Sequence, residues 1–102
     1  MPVEQRYIDK LRSVLGGHAA TFDDDTICDC YIPVTGLAIE VEFAPKWAEA
    51  IGQSLHYASK AGCRPGIYLI VRDIAEEKHI NKLIPHCKRL NILLFIKRDY
   101  KR

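Results

Sequence analysis

Apolar and polar positions along this chain change period several times, and each change marks an element. In E-Q-R-Y-I-D-K-L-R-S-V-L, residues 4–15, Tyr7, Ile8, Leu11, Val14 and Leu15 fall at helical spacing, and Gly16-Gly17 ends the helix. His18 to Phe22 predicts a short strand running into Asp23-Asp24-Asp25. From Thr26 to Phe43 the period is two. A first arm T-I-C-D-C-Y-I, a turn P-V-T-G and a second arm L-A-I-E-V-E-F predict a β-hairpin. Cys28, Cys30 and Ile32 alternate on its core side with Leu37, Ile39, Val41 and Phe43, while Asp29, Tyr31, Glu40 and Glu42 face the other way.

Residues 45–61 predict a second helix with Pro45 in its first turn. Trp47, Ile51, Leu55 and Ala58 form its expected buried stripe; Lys46, Glu49, Gln53, Tyr57 and Lys60 form a polar stripe within a sector of about 80°. G-I-Y-L-I-V, residues 66–71, is a continuous apolar strand of the fully buried kind. A third helical region sets Ile80, Leu83, Ile84, Cys87 and Leu90 on one side, and Pro85 is expected to kink or split it. I-L-L-F-I, residues 92–96, is the last strand. The order α-β-β-β-α-β-α-β predicts an α/β fold, a mixed central sheet flanked by helices. No repeat or linker divides residues 1–102, which read as one domain.

Charge changes this picture. Residues 1–59 carry four Lys/Arg against nine Asp/Glu, whereas residues 60–102 carry eleven against four. An acidic half beside a basic one suits a metal site that also holds a polyanion; uneven solvation of a small domain is the plain alternative. An apolar fraction of 48% with 27% charged residues is that of an ordinary globular protein. No apolar run approaches the roughly 20 residues that span a bilayer, and M-P-V-E-Q-R-Y-I-D-K lacks a signal-peptide block, so a cytoplasmic protein without membrane contact is expected. Cys28 and Cys30 within one strand lack the turn that converges two thiolates on zinc, so reduced core thiols are expected, with zinc shared by His79 or His86 as the alternative. His18 and His56 show no partner pattern, and Asp23 to Asp25 read as a solvated turn, with Asp25 as an alternative ligand.

The candidate chemistry lies on the hairpin. With a four-residue loop Pro33–Gly36, Ile32 pairs with Leu37 and Asp29 stands opposite Glu40, with Cβ atoms roughly 4.5–5.5 Å apart; a two-residue turn at Thr35-Gly36 would pair Asp29 with Glu42 instead, and either register leaves the three acids on one face. Three carboxylates on one patch repel one another unless a cation sits among them. Mg²⁺ takes oxygen ligands and keeps several waters, so Asp29, Glu40 and the Val41 carbonyl form a plausible protein share, with Mn²⁺ as substitute. Glu42 is placed to take a proton from an attacking water or to join the ligands. Lys46 is placed to stabilise charge on a phosphate. Gln53 and Tyr57, one turn apart, are candidates to contact the nucleic-acid backbone or to position Lys46 and Glu42. Each has a plain reading beside it: Glu40 and Glu42 as the wet face of an edge hairpin, Gln53 and Tyr57 as surface residues, Glu4 as a favourable charge at a helix N-terminus.

Taken in order, these residues resemble the PD-(D/E)XK nuclease superfamily, which includes Holliday-junction resolvases and many restriction endonucleases. The resemblance runs from Glu4 to about Val71 and rests on Asp29 on one strand, Glu40 in I-E-V-E on the next, Q-x-x-x-Y at Gln53 and Tyr57, and Glu4 on the first helix. It implies a restriction-endonuclease-like αβββαβ core, here with an extra C-terminal helix and strand. It also implies a Mg²⁺-dependent endonuclease hydrolysing phosphodiester bonds in DNA, as a homodimer whose two sites make two cuts. Catalytic candidates are then Glu4, Asp29, Glu40, Glu42, Lys46, Gln53 and Tyr57. Lys46, Lys60, Lys97, Arg98, Lys101 and Arg102 are candidate nucleic-acid contacts. The chain departs from the pattern at Glu42, where the superfamily usually has lysine; Lys46 at the following helix start is the candidate replacement. That departure keeps open a non-catalytic nucleic-acid-binding or assembly subunit on the same fold, and a plain α/β interaction domain stands as a third reading.

Overall fold

The computed structural model describes residues 3–100. Helix α1 (Val3–Leu15) leads into strands β1 (His18–Thr21), β2 (Ile27–Ile32) and β3 (Leu37–Phe43). A 3-10 turn over Ala44–Lys46 opens helix α2 (Trp47–Ala61), followed by β4 (Arg64–Val71), a second 3-10 turn, α3 (Glu77–Leu90) and β5 (Leu93–Arg98). The five strands form one sheet in the order β1-β2-β3-β4-β5, antiparallel through β3 and parallel from β3 to β5. This is the succession expected from the period changes, with strand ends displaced by at most two residues. The hairpin register also follows the turn: Pro33 to Gly36 is a four-residue loop, Gly36 takes φ +65°, and Ile32 pairs with Leu37.

Alternation along β4 divides the core. Ile67, Leu69 and Val71 pack with α2 and α3, through Ala50, Ile80, Leu83 and Cys87, on one face. Ile70 and Tyr68 turn to the other, where Ile8 and Leu11 of α1 meet Cys30, Ile32, Leu37, Ile39 and Val41. Each such fully buried Ile or Leu contributes about 1.5–3 kcal/mol relative to exposure. Among the described residues no helix is long and apolar enough to cross a membrane.

Three expectations are corrected. Helix α3 is continuous through Pro85. Pro85 and Asn81 are both exposed, so the carbonyl that loses its partner lies on the wet side. On α2 the fully buried positions are Ala50, Ser54, Tyr57 and Ala58, while Trp47, Ile51 and Leu55 are half-buried. Helix α2 is pressed between the sheet and α3; small side chains let it approach the sheet, and the bulky ones fill the seam toward α3, where Trp47 stacks on His86. Finally, Cys28 does not share a face with Cys30. It packs with Ala38 and Tyr57 and donates to the Ile39 carbonyl, while Cys30 lies under α1. A bulge between His18 and Ala20 breaks the β1–β2 register beside it, and bulges re-aim side chains. All four cysteines are free, and burial pushes each thiol upward, Cys28 to about 12.

Gly17 is where the chain leaves α1 and passes against β2. A Cβ there would stand 2.3 Å from Cys30 Sγ and 3.0 Å from Ile32 Cγ1. Gly17→Ala is expected to destabilise the fold by about 1–3 kcal/mol, the scale of overpacking. Urea midpoints test this. Gly17→Ala combined with Cys30→Ala should recover part of the loss, and no recovery would place the strain in the backbone.

Candidate acidic site between β2 and β3

The β2–β3 ladder runs from Ile32↔Leu37 to Cys30↔Ile39 and would next pair Asp29 with Glu40. There the Asp29 side chain intervenes: Val41 N–H donates to its Oδ2 at 2.9 Å. The Asp29 carbonyl is held separately, accepting from Arg12 Nε of α1 at 2.7 Å. The Asp29 backbone is thus pinned from the helix and its carboxylate from β3. Arg12 was invisible to pattern reading, because a basic residue in a helix's last turn already has a reason to be there.

Glu40 is 5% exposed and Glu42 7% exposed, an unusual depth for carboxylates. Burial foremost pushes the Glu40 carboxyl up to about 10, assisted by its hydrogen bond to Asp29 and by the charges of Asp29, Glu42 and Glu4. Protonated Glu40 donates to Asp29. Glu42 Oε1 accepts the Phe43 N–H at 3.0 Å. Glu4, in the first turn of α1, is pushed up to about 7 by burial, then by the charge and hydrogen bond of Glu42 and the charge of Asp29; Lys46 pulls the other way. Four acids from α1, β2 and β3 therefore feel one another, with Lys46 as a cation within range.

Tyr57 forms the wall behind them. It is buried, stacks on Phe22 at 6.0 Å, and its hydroxyl is pushed up to about 12 by burial and then by Glu40 and Asp29. The polar stripe expected on α2 is split accordingly: Gln53 is exposed, with no side-chain hydrogen bond among the described residues, while Tyr57 turns inward. Proximity to Glu40, not to Gln53, is what marks Tyr57.

The expected cationic contacts do not form one patch. Lys60 is paired with Asp23 at 2.7 Å, and Arg98 makes two 3.0 Å bonds to Glu77. Lys97 and Arg98 are successive strand residues and point to opposite faces. Lys101 and Arg102 lie outside the described residues. His56, expected to lack partners, meets Asp24 Oδ2 at 2.7 Å and Thr26 Oγ1 at 3.3 Å. Hydrogen bonds from Thr26, then His56 and the Lys60 charge, hold Asp24 down at about 2. The Asp23–Asp25 turn is therefore a clasp on α2 that keeps Phe22 against Tyr57.

The donors are all oxygen, the ligand type that hard divalent cations take. Among the described residues no group of three or more His, Cys, Asp or Glu is placed to hold a metal ion; the acids meet in pairs, Glu40 with Asp29 and Glu4 with Glu42. Comparison with protein-family models, with curated proteins and with solved structures gives no match to this chain.

The raised carboxyls make stability depend on pH. In the unfolded chain both glutamates release their protons near 4.5; in the fold Glu4 holds its proton to about 7 and Glu40 to about 10. Between those limits the folded state binds more protons, so stability falls as pH rises from about 4.5. In EDTA the melting temperature should drop between pH 5 and 9. Glu40→Gln, which keeps the shape and the donor to Asp29, should flatten that slope and raise Tm at pH 8 by at least about 4–8 °C, the shift given by about 1 kcal/mol in a domain of this size. A wild-type Tm flat over that range would show that the acids are solvated.

Proposed function

We propose that this chain is a metal-dependent endonuclease of the PD-(D/E)XK type, hydrolysing phosphodiester bonds in DNA. One observation carries the reading: Glu40, almost wholly buried, shares a hydrogen bond with Asp29 within the field of two further acids. Burying unpaired carboxylates is costly, and a fold that gathers them has a use for a cation there. Support also comes from the succession of α1, three antiparallel-paired strands, α2 and a parallel β4, with the acids on α1, β2 and β3.

On this reading Asp29, Glu40 and the Val41 carbonyl would hold Mg²⁺, which would supply polarisation of the scissile phosphate and acidification of a water. A water oxygen attacks phosphorus, Glu42 takes its proton, and the bond from phosphorus to the leaving oxygen breaks, that oxygen taking a proton from solvent to leave as the alcohol. Lys46 neutralises charge gathering on the phosphate. Tyr57 keeps solvent from Glu40, and Arg12 keeps the Asp29 peptide in place. A homodimer would supply two cuts.

Isothermal titration with Mn²⁺ tests the centre. Wild type should bind one ion per chain, and Asp29→Asn with Glu40→Gln should bind none. Glu42 in the place of the usual lysine favours a second reading, a nucleic-acid-binding subunit that does not cut. Salt-sensitive DNA binding without Mn²⁺ uptake would establish that reading instead.

A further inference from the structure

Helix α1 covers β2 and β3 but only reaches β4, leaving the far side of that sheet face open. A groove of about 580 Å³ lies there between α1 and β5. Its floor carries Tyr68 and Phe95, which pair in register across β4 and β5 and so stand side by side on one face. Its rim carries Arg6, Lys10 and Lys97, and Val14 beside them is 72% exposed. The single carboxylate on the lining, Asp99, accepts a hydrogen bond from Tyr7. The groove thus combines adjoining aromatic rings with a net positive rim.

The groove ends near Glu4, the acid that α1 contributes to the cluster, while Glu40 and Glu42 alternate with Ile39, Val41 and Phe43 and so stand on the opposite side of β3. Tyr7 sits three residues after Glu4, about 4.5 Å further along the helix axis. Its ring meets Phe43 edge-on at 6.0 Å on the α1 face of the sheet. Arg72 lies over that Phe43 ring at 4.0 Å, adding a cation at this end.

We infer that the groove between α1 and β5 receives an unpaired nucleic-acid strand. This goes beyond the nuclease reading, since binding in the groove stands whether or not the acids cut. Bases stack on aromatic side chains while cations follow the phosphates, which is how single strands are held without sequence preference. Within a duplex the base faces are already occupied by neighbouring bases, so adjoining rings would gain nothing from it. From Arg6 to Val14 the helix runs about 12 Å, enough to follow a short stretch of strand. A second copy of the chain is a poor occupant, because a two-fold contact through this face sets three cations against three. An acidic peptide would satisfy the rim but leave the rings unused. The substrate class is therefore DNA with a single-stranded arm, flap or junction.

The test is fluorescence anisotropy in EDTA, with a fluorescein-labelled twelve-nucleotide oligothymidylate and a duplex of equal length. The single strand should bind at least ~5-fold tighter than the duplex. Lys10→Glu with Lys97→Glu should weaken it ~10-fold or more and reduce its salt dependence. Phe95→Leu should weaken it ~5-fold or more, the lower end of losing one stacking ring. Equal affinity for the duplex would overturn the inference, as would unchanged affinity in the charge-reversed variant. Polyglutamate displacing the oligonucleotide at equal charge would also overturn it, and so would a groove variant that altered only the oligomeric state by sedimentation. Lys10 is exposed, so its reversal does not hinge on folding. Loss of binding in these variants alongside an absence of any Mg²⁺-dependent cleavage would remove the nuclease reading and leave this one standing.

Discussion

Asp29→Asn and Glu40→Gln are each expected to lower Mg²⁺-dependent cleavage by at least ~10³-fold, the scale of losing charge stabilisation and water activation together. The two should differ in everything else. Asp29 carries structure as well as chemistry: its carboxylate holds the Val41 N–H and its carbonyl is held by Arg12, so Asn at this position keeps a hydrogen-bond acceptor but weakens it. Glu40 carries an electrostatic cost, and its neutral isostere should be more stable above pH 5 than the wild type. A variant that gains stability while losing all activity is the signature of a functional site, since most substitutions of buried residues do the opposite. Branched, single-stranded and duplex DNA, each assayed with Mg²⁺ and Mn²⁺, form the substrate panel. Wild-type rates for both variants across that panel would dismiss the nuclease assignment.

Lys46→Ala should lower turnover by ~10²-fold or more while leaving Mn²⁺ affinity nearly intact. Lys46 stands at the N-terminal cap of α2, where the helix dipole disfavours a cation and no side-chain capping bond is made. Its charge is felt at Glu4, which is hydrogen-bonded to Glu42, while its own side chain stays exposed. Lys46→Arg should rescue little, because a planar fork does not replace a compact ammonium. Glu42→Gln is the control. If Lys46→Ala cuts at the wild-type rate while Glu42→Gln is inactive, Glu42 alone does the work and Lys46 is surface.

The hairpin was legible because its two constraints are local: a period of two and a turn of countable length. Together they put Asp29 on one face with Glu40 and Glu42 before any tertiary contact is considered, and the four-residue loop then selects the register. The faces of α2 were not legible in the same way. Helical spacing marks which residues are apolar but not which neighbour they meet, and α2 has two neighbours, the sheet and α3. Ala50 and Ser54 are buried for their small size, which no apolar stripe reveals. Tyr57 went inward because Phe22 and the clasp around Asp24 lie over it, a contact across 35 residues of chain. Cys28 left its predicted face at an unmarked bulge. Arg12, the groove cations Arg6 and Lys10, and Arg72 over Phe43 all looked like ordinary solvated charges, since their roles come from elements distant in sequence.

The sheet's spatial order repeats its order along the chain, and this bears on how the protein comes off the ribosome. Each strand that emerges finds the edge of the one before it, so none must be threaded between strands already paired. Glu4, Asp29, Glu40 and Glu42 all precede α2, and the hairpin that joins three of them closes over only a four-residue loop. Short-range pairings of this kind form early, ahead of the crossovers to β4 and β5. The acids are thus brought together while water still surrounds them. Their desolvation is imposed afterwards, when α2 docks and Tyr57 closes the wall.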